Sequence, residues 1–66
     1  SRSELLEGGL LGLLPEQHKE ILVLTKFIGF SVAETSEQLG ISESAVKVRV
    51  HRAIRKLRHL LENDEP

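Results

Sequence analysis

Apolar residues recur at helical spacing along most of this 66-residue chain, with polar residues between them. The longest such pattern lies towards the C-terminal end, where the apolar side chains fall within an arc of about 120° on a helix. These side chains are Val46, Val50, Ala53, Ile54, Leu57, Leu60 and Leu61. No segment alternates apolar and polar residues for long enough to predict a strand. The pattern predicts an all-α fold of three to four helices.

Prolines, glycines and serines mark where these helices begin and end. A first long helix is predicted over Pro15–Ile28, with Pro15 in its first turn and Gly29 as a left-handed stop. Within it, Ile21, Leu24 and Ile28 recur at the spacing of one helix face. Ahead of it, the leucines of residues 10–14 predict a short helix folded onto the core, and residues 3–7 a helical turn.

A second and a third helix are predicted from their capping residues. Ser31 and Glu34 have the spacing of a capping box, and the helix that they begin ends at Gly40. Ser42 is placed to cap a third helix, over residues 43–61. The remaining residues, 62–66, are predicted to be a disordered acidic tail. The whole chain, 1–66, is predicted to be a single domain, and its start at serine predicts a fragment of a longer protein.

Charge is distributed very unevenly around a net value of −1. Residues 43–61 carry six basic side chains and one acidic side chain, whereas the residues on both sides are acidic overall. Such a positive segment is typical of a surface that binds a polyanion, although a solvated helix face is the simpler explanation for any such run alone. The scarcity of aromatic residues argues against a single-strand nucleic-acid binder.

Several classes of protein are excluded by composition. The chain has no cysteine, so that disulfides and thiolate metal sites are absent, and its histidines do not have zinc-ligand spacing. Its apolar runs are far shorter than a membrane span requires. No cofactor or metal is predicted. An enzyme is not predicted either, because His18 with Glu16 or Glu20 on one helical turn provides no cleft and no oriented nucleophile.

The second and third predicted helices, joined by Gly40-Ile41-Ser42, have the pattern of a helix-turn-helix. Gly40 tolerates a positive φ, and Ile41 is predicted to fill the space between the two helices. The third helix buries one stripe and leaves its opposite, basic face free to enter a DNA major groove.

The early part of that basic face contains the predicted contacts to base edges. They are Lys47, Val48, His51 and Arg52. Lys47 and Arg52 can donate to guanine, and Val48 can contact a thymine methyl group. For Val48 and His51, simple surface exposure is an equally good explanation. The predicted contacts to the DNA backbone are Ser42, Ser44, Arg49, Arg55, Lys56 and Arg58.

Four segments resemble region 4 of bacterial RNA polymerase sigma factors, and in particular the extracytoplasmic-function group. They are Leu14-Pro15-Glu16-Gln17, Gly29-Phe30-Ser31, Leu39-Gly40-Ile41-Ser42 and Val46-Lys47-Val48-Arg49-Val50-His51-Arg52-Ala53. The resemblance covers about residues 5–61, and the last segment is its most specific part.

The resemblance implies a compact helical domain that recognises the promoter −35 element in the major groove of double-stranded DNA. It also implies docking onto the β flap of the RNA polymerase core, control by an anti-sigma factor in many members, and a cytoplasmic location. Carried over by position, Lys47, Val48, His51 and Arg52 would face the −35 bases, with Arg49 and Arg55 near the backbone.

The chain departs from the family pattern at two places. Val48 stands where a small polar residue is usual, which leaves base preference there open. Thr35-Ser36 stands where the family has an aliphatic residue and alanine. Their hydroxyls are predicted to bond back to carbonyls one turn earlier and to weaken the packing of this helix.

Two other functions remain open from the sequence. A LuxR-type helix-turn-helix regulator would also fit residues 41–48, although the arginine-rich continuation fits it less well. A sigma-like module that binds a regulator protein and no DNA is the second alternative. It is favoured by the apolar Leu22 and Val23, unless the leucines of residues 10–14 cover them.

Overall fold

The computed structural model describes residues 9–63, and the predicted turn over residues 3–7 lies outside this range. A single 3₁₀ turn comes first, at Leu10–Leu13. Helix α1 spans Glu16–Leu22 and continues directly as a π-helix over Val23–Ile28. Helices α2 and α3 span Val32–Leu39 and Glu43–Asn63. The predicted all-α class is confirmed, and residues 9–63 contain no strand.

Helix α1 begins one residue later than predicted, because Pro15, with φ −54° and ψ 148°, is its N-cap residue and is not helical. The Pro15 carbonyl accepts hydrogen bonds from the amides of His18 and Lys19, both at 3.0 Å. Proline therefore starts the helix as an acceptor, a role in which its missing N–H costs nothing. Glu16 lies in the first turn, where its charge opposes the positive end of the helix dipole.

The predicted helix does extend to Ile28, but its winding changes from α to π at Val23. The Thr25 hydroxyl donates to the Ile21 carbonyl at 2.7 Å, and so competes for an acceptor of the α-helical ladder. Further on, the Gly29 amide donates to the carbonyl of Leu24, five residues earlier, at 3.1 Å. Gly29 ends the segment with φ 91°, which confirms the predicted left-handed stop.

The wider winding also explains why Ile28 does not face the core. A π turn takes up more residues than an α turn, so the side chains that follow it are displaced around the helix axis. Ile28 is 57% exposed, whereas Phe27 packs against the core in its place. Ile28 therefore does not share a buried face with Ile21, as helical spacing alone would indicate.

Helix α2 has the capping box that its sequence predicts. The Glu34 amide donates to Ser31 Oγ at 3.0 Å, and the Ser31 amide donates to Glu34 Oε1 at 2.9 Å. The hydrogen bond from the Ser31 backbone, helped by the Ser31 side chain, lowers the pKa of the Glu34 carboxyl below its ordinary value. At the other end Gly40 has φ 68°, and the Cβ of any other residue would be strained there.

Helix α3 begins at Glu43, and the Ala45 amide donates to Ser42 Oγ at 3.0 Å, as the predicted cap requires. The helix continues through Asn63, two residues beyond its predicted end at Leu61. The predicted disordered tail therefore begins too early, since Glu62 and Asn63 are helical. Residues 64–66 lie outside the described range.

The core lies where α1 and α2 pack on α3. Its buried hydrophobic residues are Leu11, Leu14, Ile21, Leu22, Val46 and Ala53. Leu11 and Leu14 confirm that the segment before α1 folds onto the core, although Leu13 is 66% exposed. Along α3 the predicted stripe is confirmed as far as Leu60, but Leu61 is 49% exposed and is not a core residue.

The hydroxyls of α2 do not make the predicted bonds to earlier carbonyls. Ser36 donates forward instead, to the carbonyl of Ile41, which the turn brings close to the side chain. Thr35 is completely buried, and its Oγ1 has no hydrogen-bond partner among the described residues. A buried hydroxyl without a partner carries a desolvation cost of about 1–3 kcal/mol.

Candidate nucleic-acid interface

The helix-turn-helix holds α3 by its buried side and leaves the opposite side open. Val46 and Ala53 are fully buried and fix α3 against α1 and α2. Ile41 is half-buried and packs against the core from the turn, as predicted. The Ser36–Ile41 hydrogen bond fastens the turn to α2. Within the described part of the chain, the contacts that orient α3 are therefore on its buried side.

All four predicted base contacts lie on the free side of α3. Lys47, Val48, His51 and Arg52 are exposed, and Val48 is 46% exposed. They occupy the first half of the helix, close to the turn, as base-contacting residues do in helix-turn-helix proteins. Lys47 and Arg52 therefore provide hydrogen-bond donors at the two edges of this exposed surface, and Val48 provides methyl groups between them.

The predicted backbone contacts are less uniform. Ser42, Ser44, Arg55, Lys56 and Arg58 are exposed, whereas Arg49 is half-buried. Ser42 Oγ accepts the Ala45 amide, so the hydroxyl hydrogen is still available to donate. Arg49 has less freedom to reach a ligand than the other cations of α3.

A positively charged groove of about 630 Å³ runs along one side of α3. Its lining includes His18 of α1 together with Arg52, Arg55, Lys56, Arg58 and Glu62 of α3. The Nδ1 atom of His18 is buried and has no hydrogen-bond partner among the described residues. Sequence reasoning did not connect His18 with this surface, because no local pattern links it to residues so far along the chain.

A second groove, of about 480 Å³, lies on the other side of α3. Its polar lining comes from Thr25 and Lys26 of the π-helix, Ser31 before α2, and Lys47 and His51 of α3. None of the described residues that line it is acidic. Lys26 was also missed from the sequence, where it stands alone between apolar residues.

A third groove, of about 380 Å³, is apolar and lies between the π-helix and the second half of α3. Leu11, Leu22, Phe27, Ile54, Leu57 and Leu61 line it. Among the described lining residues, Lys26 is the one that carries a charge, and it lies at the boundary with the second groove. Such a surface suits a protein partner better than a nucleic acid, because exposed apolar patches mark interaction sites.

Residues 9–63 contain neither a membrane-spanning helix nor a cluster of metal-ligating side chains. No helix there is long and apolar enough to cross a membrane. No group of three or more histidine or acidic side chains there is arranged to hold a metal ion.

Comparison with known proteins identifies one family along most of the chain. The family model for sigma-70, region 4, matches residues 8–57. The match therefore covers α1, the π-helix, the helix-turn-helix and most of α3, together with all the predicted base contacts.

The individual relatives are RNA polymerase sigma factors as well. The chain is 47% identical over 53 residues to the ECF RNA polymerase sigma factor ShbA of Streptomyces griseus, which is 80% of this chain and 28% of the relative. It is 55% identical over 49 residues to the RNA polymerase sigma factor SigZ of Bacillus subtilis, and the matched part is 74% of this chain and 28% of the relative. It is 42% identical over 60 residues to the RNA polymerase sigma factor CarQ of Myxococcus xanthus, and the matched part is 91% of this chain and 33% of the relative. The chain thus spans about a third or less of the length of these relatives.

Proposed function

Because this chain belongs to the sigma-70 region 4 family, we propose that it is the promoter-binding domain of an RNA polymerase sigma factor and recognises the −35 element. The observation that carries the proposal is the unbroken helix α3, with Val46 and Ala53 buried on one side and its cations on the other. A helix is about 10–12 Å across, and the major groove of B-DNA is about 12 Å wide, so α3 fits into it.

The four exposed residues near the start of α3 have complementary chemistry towards base edges. Lys47 and Arg52 donate to the O6 and N7 acceptors of guanine, which is the commonest specific contact in the major groove. Val48 supports a contact with a thymine methyl group, and His51 supports a single polar contact. The proposed site therefore favours a sequence with guanines on both sides of an A·T pair.

The cations farther along α3 are proposed to position the domain. Arg55, Lys56 and Arg58 are exposed and lie beyond the base-contacting half of the helix. Contacts to phosphate fix register and orientation without discriminating sequence. Ser42 and Ser44, at the start of the helix, add hydroxyl donors, and half-buried Arg49 is the least accessible member of the set.

Two measurements test this proposal. Selection from a random duplex library should enrich one short motif, and fluorescence anisotropy with that motif should give an affinity that falls steeply with salt. Equal binding to the selected and scrambled duplexes would contradict base recognition. No binding to any duplex at low salt would contradict the DNA-binding function itself.

We further propose that the domain docks on RNA polymerase, at the β flap that the family resemblance implies. The apolar groove between the π-helix and α3 supports this, because an exposed apolar surface is typical of a protein-binding site and not of a surface that binds duplex DNA. It lies beside the proposed DNA face, so one domain has room for both partners. An anti-sigma factor that covers either surface would block the domain. The proposed function implies a cytoplasmic location, where the chromosome lies, and requires no catalytic activity of the protein.

The second candidate function is a sigma-like module that binds a regulator protein and no DNA. The same apolar groove favours it, although Leu22, which supported it from the sequence, is buried. The exposed cations of α3 argue against it, because a module that binds a regulator protein and no DNA does not require a cationic helix face. The LuxR-type alternative loses its support, since the family match is to sigma-70 region 4.

A further inference from the structure

Lys26 lies outside the helix-turn-helix but beside its recognition surface. It belongs to the π-helix, is exposed, and lines the second groove together with Lys47 and His51 of α3. None of the described residues that line this groove is acidic, so no neighbouring carboxylate there competes for the Lys26 ammonium group.

The first helix crosses the buried side of α3, and its two ends emerge on opposite sides. On a helical wheel Lys47 and His51 lie about 100–140° to one side of Val46, and Arg52 and Lys56 about 80–120° to the other. Lys26 shares a groove with the first pair, whereas His18 shares a groove with the second.

A helix that fills the major groove has a phosphate backbone along each of its sides. Helix diameter and groove width are nearly equal, so groups just beside the helix face the two strands. On the Arg52 side, α3 itself supplies several cations to the groove. On the His51 side, Lys26 is the cation that another element adds to the groove.

The shape of the Lys26 site favours a defined position for its charge. Lys26 also lines the apolar groove, next to Phe27 and Ile54, which gives its aliphatic stem a surface to pack on. A lysine whose stem packs in this way holds its ammonium group at the edge, in water. Ordering this side chain on a ligand then costs less conformational entropy than for a freely rotating lysine.

We propose that Lys26 binds a DNA phosphate on the strand that runs along the His51 side of α3, and that the π-helix places it there. The inference rests on the proposed function, because the strand is defined by α3 in the major groove. It extends that function, because the first helix then contributes a phosphate contact on the side of α3 that has fewer cations.

The test is the salt dependence of duplex binding by the 66-residue chain and its Lys26→Met variant. Methionine keeps the length of the stem and removes the charge. Phosphate contacts are independent of sequence, so any short labelled duplex serves as the probe, measured by fluorescence anisotropy. Lys19→Met is the matched control, because it removes the same charge from α1, which the π-helix continues, at a half-buried position that lines none of the three grooves.

If Lys26 binds a phosphate, Lys26→Met reduces the slope of log K against log salt by about 0.9. Affinity at 0.1 M salt then falls about eight-fold, if the two proteins converge near 1 M. Lys19→Met keeps the slope of the unsubstituted chain, and Lys26→Arg restores it. Circular dichroism melting of each variant shows that the fold is intact.

Two results would overturn the inference, and they are distinct. If the unsubstituted chain binds duplex DNA and Lys26→Met has the same slope as Lys19→Met, the Lys26 contact is wrong and the proposed function stands. If the unsubstituted chain binds no duplex at low salt, both fail together.

Discussion

The side-chain hydroxyl of Ser36 donates a hydrogen bond to the backbone carbonyl of Ile41 and so joins α2 to the turn before α3. Ile41 in turn packs against the core. The bond therefore fixes the turn that sets the angle between the two helices of the motif. A residue that departs from the family pattern thus has a structural use in this chain.

The Ser36→Ala variant is expected to be less stable than the unsubstituted chain. It removes the donor to Ile41, and a hydrogen bond of this kind contributes about 1 kcal/mol to the free energy of unfolding. Urea denaturation measures the change, with Ser44→Ala as a control at an exposed position of α3. Equal stability of the two variants would mean that water replaces the bond without loss.

The Thr35→Val variant is expected to be more stable. Valine has nearly the shape of threonine, and it removes a completely buried hydroxyl that has no hydrogen-bond partner among the described residues. The free energy of unfolding should rise by about 1 kcal/mol, at the lower end of the cost of an unsatisfied group. Thr25→Val is the matched control and should lower stability, since the Thr25 hydroxyl is bonded to Ile21. A loss of stability in Thr35→Val would contradict this account of the core.

Stability at acid pH is expected to depend on Glu34. Its folded-state pKa is lowered from 4.5, mainly by the hydrogen bond from the Ser31 backbone. A depressed carboxyl pKa stabilises the folded state fully above the unfolded pKa, and the stabilisation is lost as pH falls through the folded pKa. The melting temperature of Glu34→Gln should therefore approach that of the unsubstituted chain as pH drops below 4.5. A constant difference between the two at every pH would show that the charge on Glu34 is not involved.

The sequence predicted the elements of this fold well where one local cause is sufficient. Gly29, Gly40 and the Ser31–Glu34 box each act through backbone geometry or bonds within one turn, and each is found as predicted. The exposure of the four predicted base contacts followed from the helical period of α3 in the same way.

The sequence failed where a second cause intervenes. The Thr25 hydroxyl accompanies a change of winding that displaces Ile28 from the core, and periodicity alone assumes a constant winding. Leu61 has the correct period but is half-exposed, since burial also needs a neighbouring element to cover the side chain. His18 and Lys26 reach the candidate interface only through tertiary packing, so no local pattern indicates them.

Two arginines of α3 are expected to behave differently when they are replaced. Arg52→Ala should weaken binding to the selected duplex by about 1–3 kcal/mol and relax discrimination at one base pair, because it removes a bidentate donor. Arg58→Ala should weaken binding equally on all duplexes and reduce the salt slope by about 0.9. Anisotropy with single-base variants of the selected duplex measures both. Losses that are the same for both variants and independent of sequence would overturn the assigned roles.

The apolar groove is expected to bind the β flap of RNA polymerase, and Leu61 is its most accessible test position. Leu61 lines the groove and is 49% exposed, so a charge placed there disturbs docking more than folding. Leu61→Glu should weaken binding of the isolated β flap, measured by calorimetry, by at least about 1–2 kcal/mol, roughly ten-fold in Kd. Leu13→Glu is the control, since Leu13 is 66% exposed and is not a lining residue of the groove. Both variants should keep the duplex affinity of the unsubstituted chain apart from the general effect of one added negative charge. If Leu61→Glu binds the flap as well as Leu13→Glu does, the groove is not the docking surface, and the polymerase contact must lie elsewhere on the domain.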